Sequence, residues 1–276
     1  MIKVNWLIML ALLPALLQAS VRLPGTEQLS VADAGTGVGF QIAVQLPPDY
    51  YKPEAFKIRY PVVYLHGDIS DFALVVGASR NAMQQGSIKP AIIVALSREH
   101  NRQELIAPGT AIQRLHYGEQ LFEYQRFLTR QLIPLVERRY RATDKERTFI
   151  GKNGGALLGL YLMANEPGLF TSMLLGSPAF WYDNHNSLNK LIDAVNSRQV
   201  THARIFVGVG QLETPIHQQG TEDLVSDAID MQTRISAWRY PGLELKLMLV
   251  PDADNSTAFP TTVTQGMHWL SKTPQQ

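Results

Sequence analysis

The feature that most constrains this chain is a short apolar strand that runs through a glycine-spaced turn into an apolar helix. From residue 149 to residue 158 the sequence reads FIGKNGGALL. This layout is typical of a nucleophile elbow, the sharp strand-to-helix turn that raises a catalytic side chain above a parallel sheet. The motif normally reads Gly-x-Ser-x-Gly. Here Gly151 and Gly155 are present, but Asn153 stands at the position of the serine.

The order of the predicted elements indicates the fold class. Buried strands alternate with helical patterns from residue 60 to the end of the chain, and this alternation requires a mostly parallel sheet with helices on both faces. Two earlier strands, at residues 26–31 and 38–46, predict an antiparallel N-terminal edge, because the second alternates apolar and polar residues. The helical patterns lie at residues 74–85, 118–140, 155–163, 187–195, 222–238 and 259–271. Pro134 lies inside the second of these patterns, where we expect a kink.

The N-terminus has the pattern of a cleavable signal peptide. Lys3 precedes a non-polar run from Trp6 to Leu17, and Gln18-Ala19-Ser20 offers a small-residue cleavage site after Ala19. The run is too short to span a membrane, which takes about 20 residues. We therefore expect residues 1–19 to be a signal peptide and the protein to be periplasmic or secreted. No repeat or linker divides residues 20–276, so we predict one domain.

Composition excludes several classes of function. The chain is 45% hydrophobic and has a net charge of +1, with no basic stripe, so we expect a sizeable core and no nucleic-acid partner. It has no cysteine, which excludes disulfides, thiolate catalysis and a lipid-anchored N-terminal cysteine. We predict no metal and no other cofactor, and the sequence leaves the oligomeric state open.

The remaining parts of an elbow hydrolase follow the nucleophile in a set order, first an acid and then a histidine. Glu213 follows the strand at residues 205–209 and fits the acid position, although an exposed loop glutamate explains its position equally well. The loop at residues 251–260, where the histidine is expected, contains none. An oxyanion hole would use main-chain N–H groups of Gly67 and Gly154, and these survive side-chain substitutions.

Five segments resemble the Putative esterase (esterase D-like) family of α/β-hydrolases, which includes siderophore-ester and feruloyl-type esterases. They are the strand and loop at residues 61–67, the segment 93–108, the helix end at 131–141, the signature at 177–184 and the acid segment at 209–213. The resemblance covers nearly all of residues 38–271 and implies the α/β-hydrolase fold.

The resemblance also assigns site residues. Asn153 corresponds to the family's serine, Asn255 to its histidine and Glu213 to its acid. Arg102, Trp181 and Tyr182 become candidates for lining a substrate pocket, with ordinary loop packing as the alternative for the two aromatic residues.

Substitution of both the nucleophile and its base implies lost triad chemistry, since neither amide can replace the hydroxyl or the imidazole. The hypothesis is therefore a pseudo-esterase that binds an ester-like small molecule or a protein partner.

Two alternatives keep catalysis. In the first, the protein is an active ester hydrolase with a rearranged site, in which His66 or His217 serves as the base for a hydroxyl such as Ser177. In the second, Asn153 deamidates and places an aspartate at the elbow, because an asparagine followed by glycine is chemically labile.

Overall fold

In the computed structural model, the described residues are 23–98, 120–183, 185–197, 202–218, 221–237 and 242–272. The predicted signal peptide and Arg102 lie outside these residues. Within them, no helix is both long and apolar enough to cross a membrane.

The described strands form one eight-stranded sheet in the order β1-β2-β4-β3-β5-β6-β7-β8. β2 pairs antiparallel with β1 and with β4, whereas every pair from β4 to β8 is parallel. The predicted fold class, a mostly parallel sheet with an antiparallel N-terminal edge, is therefore confirmed. The strands are β1 Thr26–Ala32, β2 Gly39–Gln45, β3 Tyr60–His66, β4 Ile92–Arg98, β5 Ala142–Lys152, β6 Ser172–Gly176, β7 Ala203–Gly210 and β8 Leu243–Val250.

Helices cover both faces of the sheet, and two apolar layers separate them from it. One layer lies between the sheet and the helices α1 and α7, around Phe72, Val75 and Val263. The second, larger layer lies under the other long helices, and Phe127, Leu157 and Leu191 are among its fully buried side chains. The helices are α1 Ile69–Gln84, α2 at residues 120–139, α3 Gly154–Asn165, α4 Asn186–Asn196, α5 Pro215–Gln218, α6 Leu224–Ala237 and α7 Asn255–Ser271.

A π turn precedes Pro134, the residue at which the sequence predicts a kink. Residues Leu128–Leu132 of α2 form this turn, and α-helical geometry returns over Ile133–Arg139. Proline has no N–H to donate to the carbonyl four residues earlier, and a π turn absorbs such a break within a helix.

Two helices begin earlier than the apolar periodicity predicts. α1 starts at Ile69 rather than at residue 74, and α7 starts at Asn255 rather than at residue 259. In both cases an aspartate just before the helix, Asp68 or Asp254, accepts hydrogen bonds from main-chain N–H groups of the first turn and forms a capping box. Asn255, predicted to lie in a loop, is therefore the first residue of a helix.

Candidate functional site

The turn at Asn153 has the strained geometry of an elbow. Asn153 lies between β5 and α3 with φ 50° and ψ −117°, and its N–H donates to the carbonyl oxygen of Gly176 at 2.9 Å. A Cβ at Gly151 would lie 2.3 Å from the carbonyl oxygen of Gly155, so only glycine fits there. Asparagine tolerates a positive φ better than most residues, so the fold keeps this turn without the serine.

Asn153 and Asn255 form a reciprocal amide pair, although 102 residues separate them in the chain. Asn255 Nδ2 donates to Asn153 Oδ1 at 2.6 Å, and Asn153 Nδ2 donates to Asn255 Oδ1 at 3.2 Å. The second hydrogen of Asn255 Nδ2 is directed to Glu213 Oε2, at 3.0 Å. The three residues that the sequence assigns to the nucleophile, histidine and acid positions thus form one continuous hydrogen-bonded chain.

Glu213 anchors this chain from inside the protein. Its side chain is fully buried, although a loop glutamate at the end of a strand is more often exposed. Glu213 Oε1 accepts from the Ser177 hydroxyl at 2.6 Å and from the Gly210 N–H at 2.7 Å. Together with the bond from Asn255, these contacts satisfy both oxygens of the buried carboxylate.

Helix capping positions Asn255. Asp254 accepts from the main-chain N–H groups of Ser256 and Thr257, each at 3.0 Å, and these bonds fix the first turn of α7. Side-chain hydrogen bonds from Ser256 and Thr257 lower the pKa of Asp254 to about 2, so the cap is charged at neutral pH. The cap directs the side chain of Asn255 toward β5 and β7, where Asn153 and Glu213 lie.

The amide pair matches a serine and a histidine in size but not in chemistry. Two asparagine side chains contain the same number of heavy atoms as one serine plus one histidine, so Asn153 and Asn255 fill the space between elbow and acid. An amide nitrogen has its lone pair delocalised and does not exchange protons usefully near neutral pH. The chain from Glu213 to Asn153 therefore has the connectivity of a triad without a nucleophile or a proton shuttle.

The two proposed oxyanion-hole residues lie at the same edge of the sheet. β3 and β5 are adjacent, and His66 at the end of β3 pairs with Gly151 in β5. Gly67 follows His66 directly, and Gly154 begins α3, so both are at the carboxyl ends of neighbouring strands. Ligands of open α/β sheets bind at this edge.

His66 lies directly beneath the elbow. A Cβ at Gly155 would lie 2.8 Å from His66 Nδ1, and the His66 ring meets the Tyr124 ring edge-on at 4.8 Å between centroids. Its Nε2 is buried and has no hydrogen-bond partner among the described residues. Burial lowers the pKa of His66 to about 4, so the ring is neutral at physiological pH.

A salt bridge that sequence patterns do not indicate joins the elbow to α1. Lys152 Nζ donates to Asp71 Oδ1 at 2.7 Å, and the Asp71 side chain is only 8% exposed. Asp71 Oδ2 also accepts from the N–H of Asp68, at 3.3 Å. The residue before the nucleophile position therefore ties the elbow to the loop that carries Gly67.

The contacts of the described residues do not support the rearranged catalytic site. The Ser177 hydroxyl donates to Glu213, and His217 is exposed and contacts the hydroxyl of Thr214 within its own turn at 2.9 Å. Neither His66 nor His217 has a hydrogen bond with Ser177 among those of the described residues. Ser177 instead supports the buried acid.

The three predicted pocket residues are in different situations. Tyr182 is 5% exposed and belongs to the larger apolar layer, and Trp181 is partly buried against that same layer. Arg102 lies outside the described residues.

A groove of about 960 Å³ lies at the other end of the sheet, since residues at or next to the first residue of five strands line it. They are Pro61, Ala91, Ser172, Ala203 and Leu243. Within the described chain, no group of three or more His, Asp or Glu residues is arranged to hold a metal ion.

Comparison with known proteins assigns the chain to a family. The model of the family described as Putative esterase matches residues 35–263. The chain belongs to this esterase family. Ferri-bacillibactin esterase BesA of Bacillus subtilis is 22% identical over 269 residues, which cover 90% of each protein.

Solved structures show the same fold. The BES protein from Bacillus cereus superposes with a TM-score of 0.75 at 18% identity, over 92% of this chain and 97% of that one. Siderophore hydrolase EstB from Aspergillus nidulans superposes with a TM-score of 0.72 at 17% identity, over 93% and 99% of the two chains. This esterase-family protein therefore has the α/β-hydrolase fold that the sequence predicts.

Proposed function

We propose that this esterase-family protein is a catalytically inactive pseudo-esterase that keeps the ligand site of its relatives. The observation that carries the proposal is the reciprocal pair of Asn153 and Asn255, connected to the buried Glu213. The pair occupies the line along which an active relative would pass a proton from nucleophile to base.

The magnitude of the loss favours a binding role over a slow enzyme. Removing the nucleophile or the base of a serine hydrolase lowers kcat by up to about 10⁶, and the remaining rate over water is only about 10³ to 10⁴. Both positions are substituted here. A site that keeps its elbow, its buried acid and its main-chain donors is still able to hold an ester without cleaving it.

The ligand class we propose is an iron-siderophore ester or one of its ester-containing fragments. The support is the named activity of relatives that share nearly the whole fold, ferri-bacillibactin esterase and siderophore hydrolase. The second N–H of Asn153, beyond the one bonded to Asn255, is a donor suited to an ester carbonyl.

The proposal is tested first by hydrolysis. Wild-type protein should cleave neither short-chain aryl esters nor ferri-bacillibactin faster than an equally handled blank. Turnover that follows the protein through purification, and that disappears in the Glu213→Gln variant, would overturn the proposal that the protein is inactive.

A paired restoration then tests the site itself. The double variant Asn153→Ser with Asn255→His should hydrolyse aryl esters at a rate well above wild type, because Glu213 is already in place to orient the new histidine. The single variants Asn153→Ser and Asn255→His serve as matched controls and should remain inactive. Equal inactivity of the double variant, if it folds, would mean that the retained framework no longer supports ester binding.

Binding is measured separately from catalysis. Titration of wild-type protein with ferri-bacillibactin should give saturable heat or tryptophan quenching, and Asn153→Leu should weaken the binding at least severalfold. A wild-type titration without saturation would refute the proposed siderophore ligand, but it would not affect the proposal that the site is catalytically inactive.

We also propose that the protein is exported after cleavage at Ala19. The support is the charged start, the non-polar run and the small-residue cleavage site of the first 20 residues. Expression of the full chain followed by N-terminal sequencing should find Ser20 as the first residue. A mature chain that starts at Met1 would contradict this proposal.

A further inference from the structure

The main-chain torsion of Asn153 in the elbow bears on its chemical stability. We propose that Asn153 is a site of spontaneous deamidation, in which the fold holds the main chain in the geometry of ring closure and delivers an aspartate at the nucleophile position. The proposal goes beyond the binding role above and does not depend on it.

The sequence supplies the reactive pair. Asn153-Gly154 is the one place in the chain where glycine follows asparagine. Deamidation begins when the main-chain nitrogen of the next residue attacks the side-chain carbonyl carbon. Glycine has no side chain to hinder that nitrogen, which is why this dipeptide is the most reactive of its kind.

The structure supplies the torsion. In an L residue the Cβ is rotated by about 120° from the main-chain nitrogen around the Cα–C bond. With ψ at −117°, the Cβ of Asn153 and the nitrogen of Gly154 are therefore nearly eclipsed on the same side of that bond. A five-membered succinimide ring contains these atoms and needs this cis arrangement. Helical and extended residues, with ψ near about −42° or about +135°, do not have it.

The neighbours of Asn153 assist the attack. Asn255 Nδ2 donates to Asn153 Oδ1 at 2.6 Å, which draws electron density from the carbonyl carbon and stabilises the oxyanion that forms on attack. The attacking nitrogen belongs to the first residue of the 12-residue helix α3, whose dipole favours loss of its proton. The side chain of Asn153 is only partly buried, so water can reach the ring.

The reaction balances with water as the one co-reactant. Gly154 N loses its proton and bonds to Asn153 Cγ, the bond from Cγ to Nδ2 breaks, and ammonia leaves with the proton. Water then opens the succinimide. Opening at the main-chain nitrogen–Cγ bond gives aspartate, with a mass gain of roughly one dalton.

The tight elbow selects between the two possible products. Opening at the other carbonyl gives isoaspartate, which lengthens the main chain by one carbon. The main chain on either side of Asn153 is closely packed, since a Cβ at Gly151 would lie 2.3 Å from the carbonyl oxygen of Gly155, and a longer main chain between these residues would disturb that packing. We therefore expect aspartate to be enriched in the folded protein relative to the unfolded chain.

The test compares the same chain folded and unfolded. Freshly purified protein is held in buffer and, in parallel, in guanidinium chloride at the same pH and temperature, and the peptide that contains Asn153 is followed by mass spectrometry. The Asn153→Asp variant marks the retention time of the aspartate product. The expected result is a folded rate at least equal to the unfolded rate, with a higher aspartate-to-isoaspartate ratio.

Internal controls come from the same digest. Asn186-Ser187 and Asn196-Ser197 carry asparagines with helical main chain in α4, so folding should slow their deamidation at least tenfold. If folding slows Asn153 tenfold as well, the elbow protects the residue and the proposal is wrong. If the folded protein yields the same isoaspartate fraction as the unfolded chain, the selection by the elbow is wrong.

Discussion

Replacement of the buried acid is the sharpest test of what holds this site together. Glu213→Ala removes the acceptor of three hydrogen bonds, from Ser177, Gly210 and Asn255. In an active esterase the acid is kept for catalysis. If the site is inactive as we propose, Glu213 is kept for stability, because it accepts three hydrogen bonds at a fully buried position.

The magnitude follows from the burial of the donors. The Ser177 side chain is 3% exposed, Gly210 is buried and Glu213 itself is fully buried, so water cannot replace the lost acceptor without entering the core. Each orphaned buried donor costs about 1–3 kcal/mol. We expect Glu213→Ala to lower the free energy of unfolding by about 3–6 kcal/mol for the two buried donors plus the partly buried amide of Asn255. For a protein of this size that corresponds to a Tm lower by roughly 6–24 °C.

The assay is urea unfolding followed by tryptophan fluorescence, with far-ultraviolet circular dichroism as a second probe. Glu244→Ala is the matched control, because the Glu244 side chain is 34% exposed, unlike that of Glu213, and it pairs with Arg204. Glu244→Ala should lower the free energy of unfolding by less than about 1 kcal/mol. If Glu213→Ala lowers the free energy of unfolding by less than about 1 kcal/mol, the reasoning is refuted, since the three donors must then have found other partners.

Two further predictions concern the elbow and the histidine beneath it. Gly151→Ala places a Cβ 2.3 Å from the Gly155 carbonyl oxygen and should lower the free energy of unfolding by about 3 kcal/mol or more, whereas Gly77→Ala, with open space in α1, should raise it by about 0.5–1 kcal/mol. Urea unfolding of both variants checks this, and an equal effect would contradict it. Burial lowers the pKa of His66 from 6.5 to about 4, so between these pH values the unfolded chain binds a proton that the folded protein does not. Stability should therefore fall by up to about 3 kcal/mol as pH drops through this window, and less steeply in His66→Gln. Unfolding curves at several pH values measure this, and parallel slopes for the two proteins would count against it.

The fold class could be predicted from local sequence patterns, because buried strands and amphipathic helices alternate along most of the chain. Alternating buried strands and amphipathic helices leave few ways to cover both faces of a parallel sheet. The errors lie at helix starts. Asp68 and Asp254 begin α1 and α7 by capping main-chain N–H groups, which apolar periodicity does not register. In α7 the first three residues, at 255–257, are also all polar.

The pocket residues show where a motif ceases to be informative. A tryptophan and a tyrosine in a signature segment suit either a ligand surface or a core. The position of Tyr182 inside the larger apolar layer depends on how residues distant in the chain pack around it. That packing is a tertiary property and has no local signal.

The sequence by itself determined that the glycines of the elbow are present and that an asparagine lies between them. Two glycines at the required spacing permit the turn, and positions 153 and 255 carry asparagine, whose amide offers neither a hydroxyl nor an imidazole. Only the tertiary structure decided which contacts the two asparagines make. Because β5, β7 and α7 meet at one edge of the sheet, two asparagines 102 residues apart pair with each other and with a buried glutamate. Hydrogen bonds between distant residues depend on the complete fold, which no pattern of neighbours in the chain specifies.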